Sequence, residues 1–97
     1  MKKSQQNVKS PLHVGNDVLI RTVTFFHTGR IESITDTEVI LSSACWIADT
    51  GRFADALKKG GKDALNEVEP FAHPVSVNRS AIIDVTDWTG GLPESQK

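Results

Sequence analysis

The chain has little of what defines several common protein classes. It contains one cysteine, Cys45, no tyrosine, and a formal net charge of only -1 over 97 residues. A single cysteine cannot form an internal disulfide, so the sequence fits a reducing compartment rather than a disulfide-stapled secreted domain. The balanced charge argues against affinity gained by neutralising many phosphates, and therefore against a nucleic-acid partner.

Long apolar runs are also missing. No stretch approaches the ~20 apolar residues that span a membrane, and the lysines near the N-terminus are not followed by the apolar segment of a signal peptide. We therefore predict no membrane partner and a cytoplasmic location. His13, His27 and His73 have no His or Cys at ligand spacing, so neither a metal nor another cofactor is predicted.

The residues that are present indicate a small domain that is mainly β. Runs rich in β-branched and aromatic residues, or alternating in polarity, predict five strands. These lie near 17–23, 25–34, 38–42, 75–78 and 80–86. A helix is predicted over about 50–59, because Phe53, Ala56 and Leu57 form one apolar stripe that ends before Gly60-Gly61. The stretch 62–74, which holds two prolines, is predicted to be a loop.

This order, β-β-β-α-β-β, predicts the fold class and the domain organisation. Five short strands, with Gly29 inside the second, favour a sheet curled into a small SH3-like or Sm-like barrel with one short helix. We predict a flexible arm at 1–12, one domain at 13–89 and a C-terminal tail at 90–97. A domain of this size gains from assembly, and an edge strand can pair with another subunit, so a homo-oligomer is expected.

The tripeptide Asp49-Thr50-Gly51 has two interpretations. Retroviral-type aspartic proteases are about this long and contribute one Asp-Thr-Gly per subunit. They also need a later apolar-apolar-Gly brace, and here Asp84 follows Ile82-Ile83 where that glycine would stand. Asp and Thr are preferred at helix N-caps, so we predict that Asp49 or Thr50 caps the helix.

Five residues are predicted to contact a ligand. Trp46 is either a core residue or a stacking platform, and Arg52 stands at the predicted helix start. Arg21, Arg30 and Arg79 come from different strands, and they form an anion site only if the fold brings them to one face. Otherwise they are solvated surface arginines. Cys45, between Ala44 and Trp46, is predicted to be a buried and unreactive thiol.

The segment "VLIRTVTFFHTGRIESITDTEVILSSACWIADTGRFADAL" resembles a family of small uncharacterised proteins encoded by phages, prophages and bacteria. The shared pattern is V-x-I-R-T, a strand with an interior glycine, a V-x-L strand leading to a tryptophan, and a short helix that ends in Ala-Leu. The resemblance covers residues 17–88. It implies a phage-related protein that is not an enzyme, and it assigns no role to any single residue.

Together these observations predict a non-catalytic, oligomeric phage-type protein. It would bind a small anionic ligand, such as a nucleotide immune signal that it sequesters in the cytoplasm of a host cell. The alternative is a virion or accessory protein that assembles through its sheet edges. A nucleic-acid-binding module and an Asp-Thr-Gly protease are two further alternatives, weakened by the net charge and by the missing brace.

Overall fold

The computed structural model describes residues 8–60 and 64–97. Within these described residues, six strands, one α-helix and a 3-10 turn follow each other. The strands are β1 (Asp17–Thr22), β2 (Phe26–Ile34), β3 (Glu38–Asp49), β4 (Glu67–Pro70), β5 (Val75–Asn78) and β6 (Ile82–Asp87). The helix α1 (Phe53–Lys59) lies between β3 and β4, and the 3-10 turn (Arg79–Ala81) precedes β6.

All strands belong to one antiparallel sheet in the order β4-β3-β2-β1-β6, and β5 also pairs with β3. Both β4 and β5 lie along the same edge of β3. Pro70 pairs with Cys45, and Val75 pairs with Leu41. The two strands are therefore nearly one strand, interrupted at 71–74, where Pro74 has no N–H to donate to a ladder.

Both faces of the sheet are buried, because successive strand residues point to opposite faces and each face has its own cluster. The first cluster, on what we call the inner face, consists of Val18, Ile20, Ile31, Val39, Leu41, Ala44 and Val77. The second, on the helix face, consists of Leu19, Cys45, Ile47, Ala56, Leu65, Val68 and Trp88. The helix and the segment after it cover only the helix face.

The sheet curls around the inner cluster. Val77 from β5 and the partly buried Ile82 and Val85 from β6 reach this same cluster from opposite edges. Register shifts between β2 and β3 bend both strands, and a Cβ at Gly29 would lie 3.0 Å from the Leu41 Cβ. Within residues 8–60 and 64–97 the two edges do not pair, so the sheet is not closed as a barrel.

The structure confirms a mainly β fold with one short helix, and it corrects the prediction in three places. The described part of the chain has six strands, because Glu67–Pro70, predicted as a loop, adds β4 to the edge of β3. The third strand does not end at residue 42 but continues to Asp49, with Cys45 and Ile47 buried on the helix face. The helix begins at Phe53 rather than near residue 50.

The chain ends are described from residue 8 onward. Of the predicted arm, residues 1–7 lie outside the described residues, and Leu12 packs against the inner cluster. The predicted tail packs onto the sheet: Lys97 and Val68 exchange two backbone hydrogen bonds of 2.9 and 2.8 Å. No helix in the described part of the chain has the length and apolarity to cross a lipid bilayer.

Candidate functional site

Aromatic side chains are concentrated where β1 turns into β2, which we call the hairpin end. Of the six Phe and Trp residues in the chain, five lie there. They are Phe25, Phe26, Trp46, Phe53 and Phe71. The sixth, Trp88, is buried in the helix-face cluster, with its indole N–H donating to the Gly91 carbonyl at 2.9 Å. At the hairpin end, by contrast, Phe25, Phe53 and Phe71 leave more than a third of their surface accessible to solvent.

On the inner face these rings form what we call the aromatic patch: Phe25, His27, Trp46 and Phe71. The Phe25 ring meets Trp46 edge-on at a centroid distance of 4.5 Å, and the His27 ring stacks on Phe71 at 5.9 Å. His27 and Trp46 are cross-strand partners, so their side chains share one face. The His27 Nδ1 is buried and has no hydrogen-bond partner among the residues that the structure describes, and burial lowers the pKa of the imidazole.

On the opposite face lies a cavity of about 230 Å³, which we call the helix-side cavity. It is lined by Arg21, Phe26, Thr50, Phe53 and Asp84. Arg21 pairs with Phe26 on one side and Asp84 on the other, so β1, β2 and β6 form the floor of the cavity. Phe53, at the start of α1, faces Phe26 at a ring distance of 5.7 Å. The cavity thus has two aromatic walls and a polar floor.

The charges at this cavity are paired. Arg21 donates from Nε and Nη2 to Asp84 Oδ2, at 3.0 and 2.5 Å, and this pairing raises the pKa of the arginine. In the described part of the chain, Arg21 Nη1 and Asp84 Oδ1 make no hydrogen bond. The Thr50 hydroxyl donates to the Gly51 carbonyl at 2.9 Å, so its oxygen is available only as an acceptor. The cavity therefore offers donors and acceptors without a net charge from the ion pair.

The five residues predicted to contact a ligand do not meet at one place. Arg21 lines the helix-side cavity, and the exposed Arg52 lies in the loop between two residues that line it. Trp46 belongs to the aromatic patch on the opposite face. Arg30 pairs with Asp17.

Arg79 lies at the far end of the sheet from the hairpin end. Its Nη1 donates to the Thr35 carbonyl at 2.7 Å, beside the turn between β2 and β3. Arg21, Arg30 and Arg79 therefore do not converge on one site, as an anion site built from all three would require.

The prediction that Asp49 or Thr50 caps the helix is wrong. The N-cap residue is Arg52, and among the described residues no side chain makes a capping hydrogen bond to α1. Because β3 continues to Asp49, the chain needs a turn before the helix, and Gly51 supplies it with a φ of 69°. The Asp49 Oδ1 accepts the Gly51 N–H at 2.8 Å, so the carboxylate still holds a backbone amide, but in that turn.

Three other features bear on possible chemistry. The Cys45 thiol is buried and donates to the Pro93 carbonyl at 3.1 Å, and burial raises its pKa. Among residues 8–60 and 64–97, no group of three His, Cys, Asp or Glu residues is placed to hold a metal ion. An open cavity of about 420 Å³ at the other end of the sheet is lined by Thr37, Glu38, Ser76 and Asn78. Ser76 donates to Glu38 there, which occupies part of its polar lining.

Sequence reasoning missed three of the residues that line the helix-side cavity. Phe26 was one of two adjacent phenylalanines that alternate between faces, and Phe53 was assigned only to an apolar helix stripe. Asp84 carried a usable signal, because a charged residue interrupts an apolar strand. Comparison with protein-family models, curated proteins and solved structures yields no match to this chain.

Proposed function

We propose that this chain is a non-catalytic binding protein for a small anionic ligand of the nucleotide class, held at the helix-side cavity. One observation carries the proposal: two phenylalanine rings and an arginine-aspartate pair line the same cavity of about 230 Å³. Aromatic walls stack on planar rings, and such stacking accepts any nucleobase. A few polar groups in an otherwise apolar cleft are typical of small-molecule sites.

Arg52 would provide the positive charge for the anionic part of the ligand. It is exposed, and within the described residues its side chain makes no hydrogen bond or ion pair, while its backbone carbonyl accepts the Ala56 N–H at 3.0 Å. Arg21 is less suited to this role, because Asp84 already neutralises it. The site proposed here is therefore narrower than the set of residues named from sequence: it keeps Arg21 and Arg52 and does not need Trp46, Arg30 or Arg79.

The proposal includes a homo-oligomer, a phage setting and an open SH3-like architecture. Counting β4 and β5 as one interrupted strand leaves five strands curled around one cluster, which supports the last of these. The family resemblance of residues 17–88 supports the phage setting. In that setting, a protein that binds nucleotides without altering them would act by sequestering a host immune signal in the cytoplasm, a role argued from setting alone.

Titration calorimetry with a panel of linear and cyclic nucleotides tests the proposal. We expect binding to the wild-type chain and a loss of about tenfold or more in affinity for Phe53→Ala, the cost of one lost stacking ring. Phe71→Ala is the matched control, because Phe53 and Phe71 are 42% and 37% exposed but lie on opposite faces. No binding at millimolar concentration, or a loss confined to Phe71→Ala, would overturn the proposal.

The alternative is a virion or accessory protein that assembles through its sheet edges. The observation that favours it is the edge strand β6, which in the described residues pairs only with β1 and exposes 55% of Ile83. Unpaired edges are templates for another chain. Native mass spectrometry reports the subunit count and any retained small molecule, and Ile83→Lys should reduce the subunit count if β6 is the contact. Recovery of the chain from purified particles would favour this alternative.

A further inference from the structure

We infer that the helix-side cavity recognises the ring of its ligand and not the phosphate. It would select a ring that carries a hydrogen-bond donor next to an acceptor. This inference deepens the proposed function and rests on it. It follows from the geometry of the Arg21–Asp84 pair, which differs from that of a second, similar pair on the same face of the sheet.

The second pair is Arg30 with Asp17, and it engages both oxygens of its carboxylate. Arg30 donates from Nε to Oδ1 at 2.8 Å and from Nη2 to Oδ2 at 3.3 Å, so each oxygen of Asp17 accepts one hydrogen bond from the arginine. Arg21 instead directs both nitrogens to the single oxygen Oδ2 of Asp84. One carboxylate oxygen of Asp84 therefore keeps its capacity to accept a hydrogen bond.

The vacant positions of this pair border the cavity. Arg21 and Asp84 both line the cavity together with Phe26 and Phe53, and the pair retains an N–H donor on Arg21 and a carboxylate oxygen on Asp84 that its own two hydrogen bonds do not use. A ring stacked there would place an acceptor against Arg21 and a donor against Asp84. Because the ion pair is neutral as a unit, it matches an uncharged ring better than a phosphate. Adenine, with its ring nitrogens and exocyclic amine, has this pattern.

The size of the helix-side cavity also indicates that it holds the ring of the ligand and not the phosphate. Sites for drug-sized ligands measure about 300–1,000 Å³. At about 230 Å³ the helix-side cavity has room for a ring system but not for a whole nucleotide. The sugar and phosphate would extend outward, where the exposed Arg52 stands next to Phe53. The ring is thus selected inside the cavity, and the charge is compensated at its rim.

Two nucleotides that differ by one group test the inference. Adenosine 5′-monophosphate carries an exocyclic amine, and purine riboside 5′-monophosphate lacks it and offers acceptors only. We expect the second to bind wild-type protein about tenfold more weakly, because the Asp84 oxygen loses its partner. Ribose 5-phosphate, which has no ring, should bind more weakly than both.

Two variants locate the effect. In Asp84→Ala the two nucleotides should bind with equal affinity, because the acceptor is gone. Asp17→Ala is the matched control: it breaks the other arginine–aspartate pair of β1 away from the cavity and should keep the tenfold difference. The wild-type comparison needs no variant, so it stands even if Asp84→Ala fails to fold.

Each outcome decides a different point. A tenfold difference that Asp84→Ala abolishes and Asp17→Ala preserves supports the inference. Equal binding of both nucleotides to the wild-type chain overturns the inference and leaves the proposed function intact. A difference that survives in Asp84→Ala also overturns it. If none of the three probes binds at millimolar concentration, both the inference and the proposed function are overturned.

Discussion

The centre of the sheet and its hairpin end are built from different side chains. The centre is aliphatic and sealed: Ile20, Ile31 and Leu41 have no exposed surface. The hairpin end is aromatic and half open, with Phe53 and Phe71 each exposing more than a third of their surface. Burial of apolar surface is worth about 25 cal/mol per Å², so the centre contributes more stability per side chain than the hairpin end.

This difference separates two roles in one small domain. A sealed aliphatic cluster has no surface left for a partner, whereas half-exposed aromatic rings keep area that a ligand can cover. Substitutions at the centre should therefore lower stability, and substitutions at the hairpin end should mainly change binding.

The strongest test compares two isoleucines. Ile31→Ala removes a fully buried side chain and should lower the free energy of unfolding by about 2–5 kcal/mol, through lost transfer free energy and a residual cavity. Ile83→Ala makes the same chemical change at a position that is 55% exposed, and it should cost about 0.5 kcal/mol or less. Urea unfolding measures both. Similar losses for the two variants would contradict the division between the sealed centre and the half-open hairpin end, near which Ile83 lies.

Gly29 tests how closely β2 and β3 approach at the centre. An added Cβ would lie 3.0 Å from the Leu41 Cβ and 3.3 Å from the Ala44 Cβ, both closer than ordinary contacts. Gly29→Ala should therefore cost about 1–3 kcal/mol, the usual range for overpacking. The same urea series measures it. A variant as stable as the parent would show that the strands can separate without cost at this position.

His27 should make the stability of the hairpin end depend on pH. Burial lowers the pKa of the folded imidazole below its ordinary value of 6.5, which the unfolded chain keeps. The unfolded state then binds a proton more readily, so stability is full above that value and declines as the pH falls through it. The decline ends below the folded pKa.

Urea midpoints for the wild type and His27→Phe, measured on both sides of 6.5, check this. The phenylalanine keeps the ring stack on Phe71 and removes the titration, so its midpoint should fall less across this pH interval. An equal fall in both proteins would assign the pH dependence to other groups.

The two ion pairs should have the smallest effect. Their four side chains are between 27% and 49% exposed, and exposed pairs gain little because water screens them. Arg21→Gln and Arg30→Gln should each leave the urea midpoint unchanged within experimental error. A clear loss for Arg21→Gln alone would mean that the pair holds the hairpin end together and would weaken its assignment to ligand recognition.

Local patterns in the sequence were enough to predict β1, β2 and β5 closely, and they failed where an element depends on its neighbour. The strand β4 has one buried residue, Val68, between two glutamates and ends in a proline, so no pattern is visible. It forms because the edge of β3 continues to Asp49 and offers a partner. Because β3 continues to Asp49, α1 begins only at Phe53, and neither Asp49 nor Thr50 is at its N-cap.

The candidate site shows the same limit. Arg21 and Arg52 were named from sequence, but the contact that defines the cavity floor joins Arg21 to Asp84, 63 residues away. No local spacing encodes such a contact. Whether Arg21, Arg30 and Arg79 converge depends on the face and the position along the sheet of each one. The strand register separates Arg21 from Arg30, and Arg79 lies in the 3-10 turn beside Thr35.

The sequence alone determined the strand content and the short helix, because polarity patterns with periods of two and 3.6 residues depend only on near neighbours in the chain. It also determined the low net charge and the single cysteine, which are matters of composition. Which face each side chain occupies was settled only in three dimensions. A shift of one residue in strand register exchanges the faces. Trp46 pairs with His27, and His27 pairs with Ile20, so this register places Trp46 on the face of Ile20 and opposite to the next residue, Arg21.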